Sequence, residues 1–379
     1  MNQGTSQVQR IAIIDHVGIR AGMNYYNDGL MCAINSKNIK TYIFSNYIGK
    51  YPDKIKYYQF FEGFSETNKL LRLIRFIKAT ITSALRARAK SVNLVLLHIF
   101  SGQFVFLILA LIPRLLGLRV SIILHDIESF SNYDWKFNRY IINNLLSDNI
   151  IVHNNYSYQE LFRNYSIREI EKVHVIKHGG FLDLVGSGSN TDCLSNTLVE
   201  YDSKKKYVLF FGQNKPAKGL DLLIEAMLNV NNDVRLIVAG KINIKASDCY
   251  DRLSVSKKLM GKVHIIDRFI EHEEMLYLFR ISDLLVLPYT KIYQSGVLLM
   301  AMSYGLPVLA SDLAAFKEMI EHEKNGLLFE SNNMNDLRNQ INNYIINDKL
   351  LKEIAANARK LIKENHSWDN IAEKYLQLL

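Results

Sequence analysis

Two lysines three positions apart, Lys215 and Lys218, follow an apolar run that ends at Gly212 in FFGQNKPAKGLDLLIEA (residues 210–226). Cations in the loop after a parallel strand are placed to flank a diphosphate. The same pair also reads as a solvated basic loop. A second anion site is offered by PYTKIYQSGVLLMAMSYGLPVLASD (288–312), where an apolar strand runs into a polar loop, 290–296, and then an apolar helix. Ser295 can cap that helix and Gly296 permits close backbone approach, so its unsatisfied N–H groups and dipole would attract phosphate. An ordinary strand–loop–helix junction has the same pattern. His125 and Asp126 end the run RVSIILHD, and strand carboxyl ends face the ligand crevice of an open α/β sheet. A lone histidine is also commonly structural. Gly18 and Gly22 lie in the loop HVGIRAGMNYYNDGL after the first apolar run, which reads equally as a plain turn.

The elements that must position these residues alternate along the chain. RIAIID, KTYIFSN, NLVLLHIF, RVSIILHD, DNIIVHN and KVHVIKHG read as buried strands. Helical stretches are expected at 25–33, 66–90 and 103–117. Residues 181–206 break the rhythm, because GSGSNTDCLSNTLVEYDSKKK is rich in Gly, Ser, Asn and charge. The alternation then restarts with YVLFFG, GLDLLIEAML, VRLIVAG, KVHIIDRF, a helix over 274–281, DLLVLPY, VLLMAMSYG, PVLAS and LLFE. Repeated β-then-α order predicts an α/β fold with doubly wound parallel sheets. The expected domains are 1–190 and 207–365, joined by a linker at 191–206, with two Rossmann-like halves facing a central cleft.

Length agrees with two domains: 379 residues at roughly 150 per domain. Half of the chain is apolar (49%), which excludes global disorder. The cysteines Cys32, Cys193 and Cys249 are far apart and form no CxxC pair, so a disulfide scaffold is excluded and reduced cytoplasmic thiols are expected. No signal peptide is read at the N-terminus, and the most apolar run, 104–112, stops at Pro113, short of the roughly 20 residues needed to span a bilayer.

The net charge of +9 fits nucleic acid, an anionic membrane or a phosphorylated small molecule. No polybasic arm supports nucleic acid, and no aromatics alternate with Lys or Arg on a strand. ETNKLLRLIRFIKATITSALRARAK (66–90) places Leu70, Leu73, Ile74, Ile77, Ile81 and Leu85 at helical spacing, with Lys69, Arg72, Arg75, Lys78, Arg86, Arg88 and Lys90 around them. Such a helix suits an anionic bilayer surface. It equally suits a domain helix with a solvated basic face.

The order FFGQNKPAKGLDLLIEA, VRLIVAG, DLLVLPY, QSGVLLMAMSYGLPVLASD and EHEKNGLLFE resembles the C-terminal domain of glycosyltransferase family 4. These are GT-B enzymes. The closing HSWDNIAEKYLQLL (366–379) resembles the family's terminal helix, which packs back towards the first domain. The resemblance covers 207–379 most strongly; in the first half only layout and a few loop residues match. It implies that a sugar is transferred from a nucleotide diphosphate donor to an acceptor hydroxyl, with retention of configuration. Lys218 matches the family lysine that contacts the donor diphosphate, with Lys215 as its basic partner; Gln213 replaces the commoner arginine after Gly212. Gln294, Ser295, Gly296 and Val297 match the phosphate loop. Arg268 and Phe269 match the loop whose main chain reads the nucleobase. His125 matches a position that contacts the transferred sugar, and Gly18 and Gly22 a loop near donor and acceptor. His178, Glu318 and Gly326 match positions that serve structure.

One departure concerns two glutamates, separated by seven residues, that many members carry; other members read Q-S-G here instead. The aligned positions here are Ile292 and Met300, neither of which accepts a hydrogen bond from a hydroxyl. Two rivals remain: a GT-B epimerase acting on a nucleotide sugar, and a non-catalytic GT-B subunit, which Ile292 and Met300 make plausible. No D-x-D pair appears, only the D-x-E of HDIES (125–129). Lysines and a helix dipole can neutralise a leaving diphosphate, so no metal and no cofactor are expected. The expected acceptor is a glycan or lipid-linked glycan of cell-surface polysaccharide, lipopolysaccharide or glycolipid synthesis, met at the cytoplasmic membrane face.

Overall fold

Continuous apolar runs become central strands here because a parallel sheet covered on both faces buries every side chain. The computed structural model describes residues 9–19, 22–62, 68–128, 135–185, 199–213, 215–242, 259 and 261–379. Two units are distinguished: Met1–Gly179 with His366–Leu379, and Gly180–Asn365. The stretch 191–198 of the expected linker lies outside the described residues, and Lys206 already opens a strand.

Unit 1 begins with β1 (Arg10–Ile14), α1 (Met23–Asn35), β2 (Lys40–Ser45), β3 (Ile55–Gln59) and α2 (Lys69–Ala89). It continues through β4 (Leu94–Ile99), α3 (Phe104–Leu115), β5 (Val120–Leu124) and α4 (Lys136–Ile141). A π-helical turn, Ile142–Leu146, leads to β6 (Asn149–Val152), α5 (Asn155–Asn164) and β7 (Val173–Val175). The seven strands pair in the order β3-β2-β1-β4-β5-β6-β7, all parallel. β4 and β5 are buried along their whole length, as is β1 after Arg10. The order reverses between β1 and β4, the place where such sheets bind ligands at their carboxyl edge.

Unit 2 contains α6 (Leu182–Val185), β8 (Lys206–Phe211), α7 (Leu220–Met227), β9 (Val234–Ala239), β10 (Val263–Ile266) and α8 (His272–Ile281). After them come β11 (Leu284–Leu287), α9 (Gly296–Tyr304), β12 (Val308–Ser311), α10 (Ala314–Lys317) and β13 (Leu327–Phe329). Two further helices, α11 (Met334–Tyr344) and α12 (Asp348–Asn365), close the unit. Its six parallel strands run β10-β9-β8-β11-β12-β13 and reverse between β8 and β11. Helix α9 buries all six residues from Leu298 to Ser303; a helix apolar on every side must be enclosed.

The last helix, α13 (Trp368–Leu376), belongs to unit 1 and packs on α1. Trp368 fills the space over Gly29 and Gly179, where a β-carbon would collide with its indole. Its ring meets Tyr26 edge-on at 5.0 Å, and His366 Nδ1 lies 2.7 Å from the His178 carbonyl. Tyr26, Leu30, Ile34, Trp368, Ile371 and Tyr375 share one core. Fully burying a large apolar side chain stabilises by about 1.5–3 kcal/mol.

Helix α2 differs from its hydrophobic pattern. Its buried residues are Phe76, Ala79, Thr80, Ser83, Ala84 and Ala87. The small ones lie at a spacing that lets the helix approach its neighbours closely. Leu70, Ile74, Ile81 and Leu85 instead face outward, 66%, 52%, 40% and 49% exposed. Among the described residues no helix is long and apolar enough to cross a membrane.

Candidate functional site

In unit 2 the loops after β8 and β11 close on one another at the sheet's reversal point. Residues Pro216–Lys218 form one 3-10 turn, with Lys218 N donating to the Lys215 carbonyl at 2.8 Å and Thr290 N to the Ala217 carbonyl at 2.9 Å. Gly219, at φ +63°, sits where a β-carbon would collide with the Pro288 carbonyl oxygen. Only glycine fits that approach. The turn carries the Lys218 ammonium back over the strand end, 5.4 Å from the Tyr289 ring centroid. A β-carbon built on Gly212 would lie 3.2 Å from Lys218 Nζ and 3.6 Å from Val297 Cγ2. Burial lowers the Lys218 ammonium to about 8.

Helix α9 starts at the same edge. Ser295 is its N-cap and its hydroxyl accepts from Leu298 N at 3.2 Å. A β-carbon on Gly296 would meet nothing within 4 Å, so space lies open beside the first turn. Lys218, Gly212, Ser295, Gly296 and Val297 therefore come to one place, with Gln294 half-buried beside them. Lys215 is exposed at the start of its turn. Arg268 and Phe269 follow β10, two strands from β8. The Arg268 guanidinium forms a bidentate pair with Glu274 at 2.7 and 2.6 Å, which shares in the capping box of α8. Phe269 is 59% exposed. Of the two positions without glutamate, Met300 is buried in α9 and Ile292 half-buried.

Unit 1 holds the other candidates. Asp15, directly after β1, is buried and accepts from Val17 N at 2.8 Å, Gly18 N at 2.9 Å and Asn27 Nδ2 at 2.8 Å. Gly18, at φ +54°, lies so close to Asn46 and Ser45 that a β-carbon would strike both side chains. Gly22 opens α1 in the left-handed region. Asn27 Oδ1 meets His98 Nε2 at 2.7 Å, and His98 Nδ1 meets His125 Nε2 at 2.8 Å. His125 stacks on Phe100 with centroids 4.8 Å apart. His153 and His178 complete a set of imidazoles around Tyr26.

Burial holds His98 at about 3 and His153 at about 4. It also keeps His125 and His178 well below the ordinary range, with neighbouring histidines adding to the effect. Asp15, Asn27, His98 and Tyr289 are absent from the residues singled out by sequence. A polar residue inside the otherwise apolar NLVLLHIF was the available signal for His98.

Residues 199–361 match the family description "Glycosyl transferases group 1". An uncharacterized glycosyltransferase of Methanocaldococcus jannaschii is 28% identical over 174 residues, 45% of this chain and 43% of that protein. The poly(ribitol-phosphate) alpha-N-acetylglucosaminyltransferase of Staphylococcus aureus is 28% identical over 223 residues, 55% of this chain and 44% of that protein. The matches thus span less than half the length of these two relatives. Among solved structures, sucrose-phosphate synthase from Thermosynechococcus elongatus superimposes with a TM-score of 0.77 at 19% identity, covering 98% of both chains. The Anabaena protein HepE, in complex with UDP and glucose, gives 0.72 at 19% identity over 97% of this chain and 98% of that one. The fold is GT-B, and the residues that match the Glycosyl transferases group 1 description all lie within unit 2.

Proposed function

We propose that the protein is a glycosyltransferase that moves a sugar from a nucleotide diphosphate-sugar to an acceptor hydroxyl with retention of configuration. The observation that carries this reading is the convergence of the half-buried Lys218 ammonium with the amino end of α9 at the reversal of the second sheet. A cation and a helix N-terminus at one point favour an anionic group there. In the reaction the bond from sugar C1 to the diphosphate oxygen breaks and its electrons stay on the diphosphate. The acceptor oxygen bonds to C1 on the face the diphosphate leaves and passes its proton to the departing diphosphate oxygen. Lys218, Lys215 and the N–H groups of 294–297 stabilise the charge on the leaving group without a metal. Arg268 and Phe269 lie along the nucleobase, with the Arg268 side chain held away by Glu274. His125 positions the sugar, and the loop with Gly18 and Gly22 lies towards the acceptor.

The complexes of HepE with UDP and glucose and with UDP-glucose make a uridine nucleotide the first donor to try. A thermal-shift panel of nucleoside diphosphates and nucleotide sugars tests this, since a ligand at 100 times its Kd adds about 2.7 kcal/mol. Turnover with the stabilising donor and a hydroxyl acceptor is the expected result; no stabilisation by any nucleotide would overturn the reading. Ile292 and Met300 favour a non-catalytic subunit as the second reading, which predicts binding without turnover. Donor conversion without any acceptor would favour an epimerase.

We further propose that the acceptor is a glycan or lipid-linked glycan of cell-surface polysaccharide, lipopolysaccharide or glycolipid synthesis, met at the cytoplasmic face of a membrane. The outward leucines and isoleucines of α2, set among exposed Lys69, Arg72, Lys78 and Arg86, support a peripheral contact with anionic lipid.

A further inference from the structure

The chain Asp15–Asn27–His98–His125 has a fixed direction. Asp15 holds two backbone N–H donors and the Asn27 amide N–H₂, which turns the Asn27 carbonyl towards His98. A carbonyl only accepts, so His98 Nε2 must donate across the 2.7 Å contact. A neutral imidazole carries one N–H, and His98, 1% exposed among apolar strands, is neutral. Its Nδ1 is therefore an acceptor, and the 2.8 Å contact requires a proton on His125 Nε2. His125 in turn has a lone pair on Nδ1. Asp15, Asn27 and His98 are all buried, whereas His125 is half-open.

We propose that Asp15, Asn27 and His98 lock His125 in the Nε2–H tautomer, so that its Nδ1 takes a hydrogen bond from a hydroxyl of the bound sugar. The proposal rests on the reading above that His125 faces that sugar. Asn27 and His98 are positioning residues, since each acts through His125. A ring with one fixed acceptor selects a hydroxyl donor and orients it. A ring free to exchange tautomers would present a donor part of the time.

The test begins with the whole protein, labelled with 15N-histidine and observed by long-range 1H–15N correlation at pH 7, with His125→Gln and His98→Asn assigning the two rings. A single tautomer is expected at His125, protonated on Nε2 and unprotonated on Nδ1. The reverse tautomer or an imidazolium overturns the proposal. His98→Leu should give both tautomers at His125, and His98→Asn, which restores an acceptor near the lost Nδ1, should return one. If His98→Leu does not fold, the native spectrum decides alone. With a donor in hand, His98→Leu should lower kcat about tenfold with KM for the donor within about twofold, the scale of one hydrogen bond. His98→Asn should recover most of that loss. Unchanged kcat in His98→Leu would sink the positioning role. If no nucleotide sugar is turned over at all, the transferase reading fails, while the tautomer at His125 is still read from the spectrum.

Discussion

The hydroxyls of Tyr26 and Tyr375 meet at 2.6 Å, 349 positions apart in sequence, inside the core that joins α1 to α13. Both are buried, so each hydroxyl depends on the other for its hydrogen bond. Tyr375→Phe leaves Tyr26 with a buried unpaired hydroxyl and should cost about 1–3 kcal/mol. Adding Tyr26→Phe should cost less than the sum of the two single changes. Chemical denaturation of the four proteins checks this; strict additivity would mean that the hydroxyls do not interact.

Lys218 carries a pH prediction for ligand binding. Its ammonium is held at about 8 rather than the usual 10.5 because burial disfavours charge. The cation proposed to meet a diphosphate is therefore present below pH 8 and lost above it. Affinity for a nucleoside diphosphate should fall as pH rises from 7 to 9.5, measured by calorimetry at fixed ionic strength. Lys218→Met should bind at least tenfold more weakly at pH 7, since a charge-assisted contact contributes about 1.5–3 kcal/mol. Its pH dependence over this range should be flatter. Equal slopes in both proteins would remove Lys218 from the binding site.

The buried histidines predict the acid side of stability. His98 at about 3, and His153 and His366 at about 4, are neutral when folded, yet in the unfolded chain each titrates near 6.5. Between these values the unfolded state binds more protons, so stability rises with pH there. Seen from neutral pH, it is intact above about 6.5 and declines as pH falls towards 3–4, by up to about 1.4 kcal/mol per pH unit for each histidine. Urea midpoints between pH 7 and 4.5 read this directly. A flat profile would mean that the rings are not held neutral.

Gly219→Ala tests how the two loops of unit 2 support Lys218. The added methyl meets the Pro288 carbonyl and the backbone is in the left-handed region, a combination costing at least about 1–2 kcal/mol. Nucleotide affinity should fall with stability. Gly261→Ala shares the left-handed backbone, at φ +72°, but has nothing within 4 Å; it should lose stability alone. Thermal shifts with and without nucleotide separate the two outcomes.

Membrane contact through α2 is tested with vesicles. Full-length protein should sediment with anionic vesicles at low salt and be released as salt screens the lysines and arginines. Leu70→Glu with Ile74→Glu should weaken that binding at least tenfold while leaving the melting temperature unchanged, because both side chains already face outward. Indifference of the native protein to anionic vesicles would end the proposal.

Central strands were legible in sequence because burial on both faces leaves continuous apolar runs, as in Ile11–Ile14 and Leu94–Leu97. β3 was not, since IKYYQ lies at the sheet edge and keeps polar residues half-exposed. α4, α5, α11 and α12 were missed for a similar reason: their polar residues dominate and only narrow stripes are buried. In α2 the leucine and isoleucine spacing marked a face correctly as continuous, but alanines and hydroxyl residues took the interior. The loop residues near Lys218 could be named because they follow strands in order. The Asp15–Asn27–His98–His125 chain could not, because its links join residues 12, 71 and 27 positions apart, and no local pattern records them.

Because α13 completes the core around Tyr26 and Trp368, unit 1 is interrupted in the chain by all of unit 2. On a ribosome, residues 180–365 emerge before the segment that caps the first unit. Unit 2 can thus finish folding during synthesis, whereas unit 1 waits with the α1 surface uncovered until 366–379 arrive. A premature stop late in the message would spare unit 2 and cripple the unit encoded first.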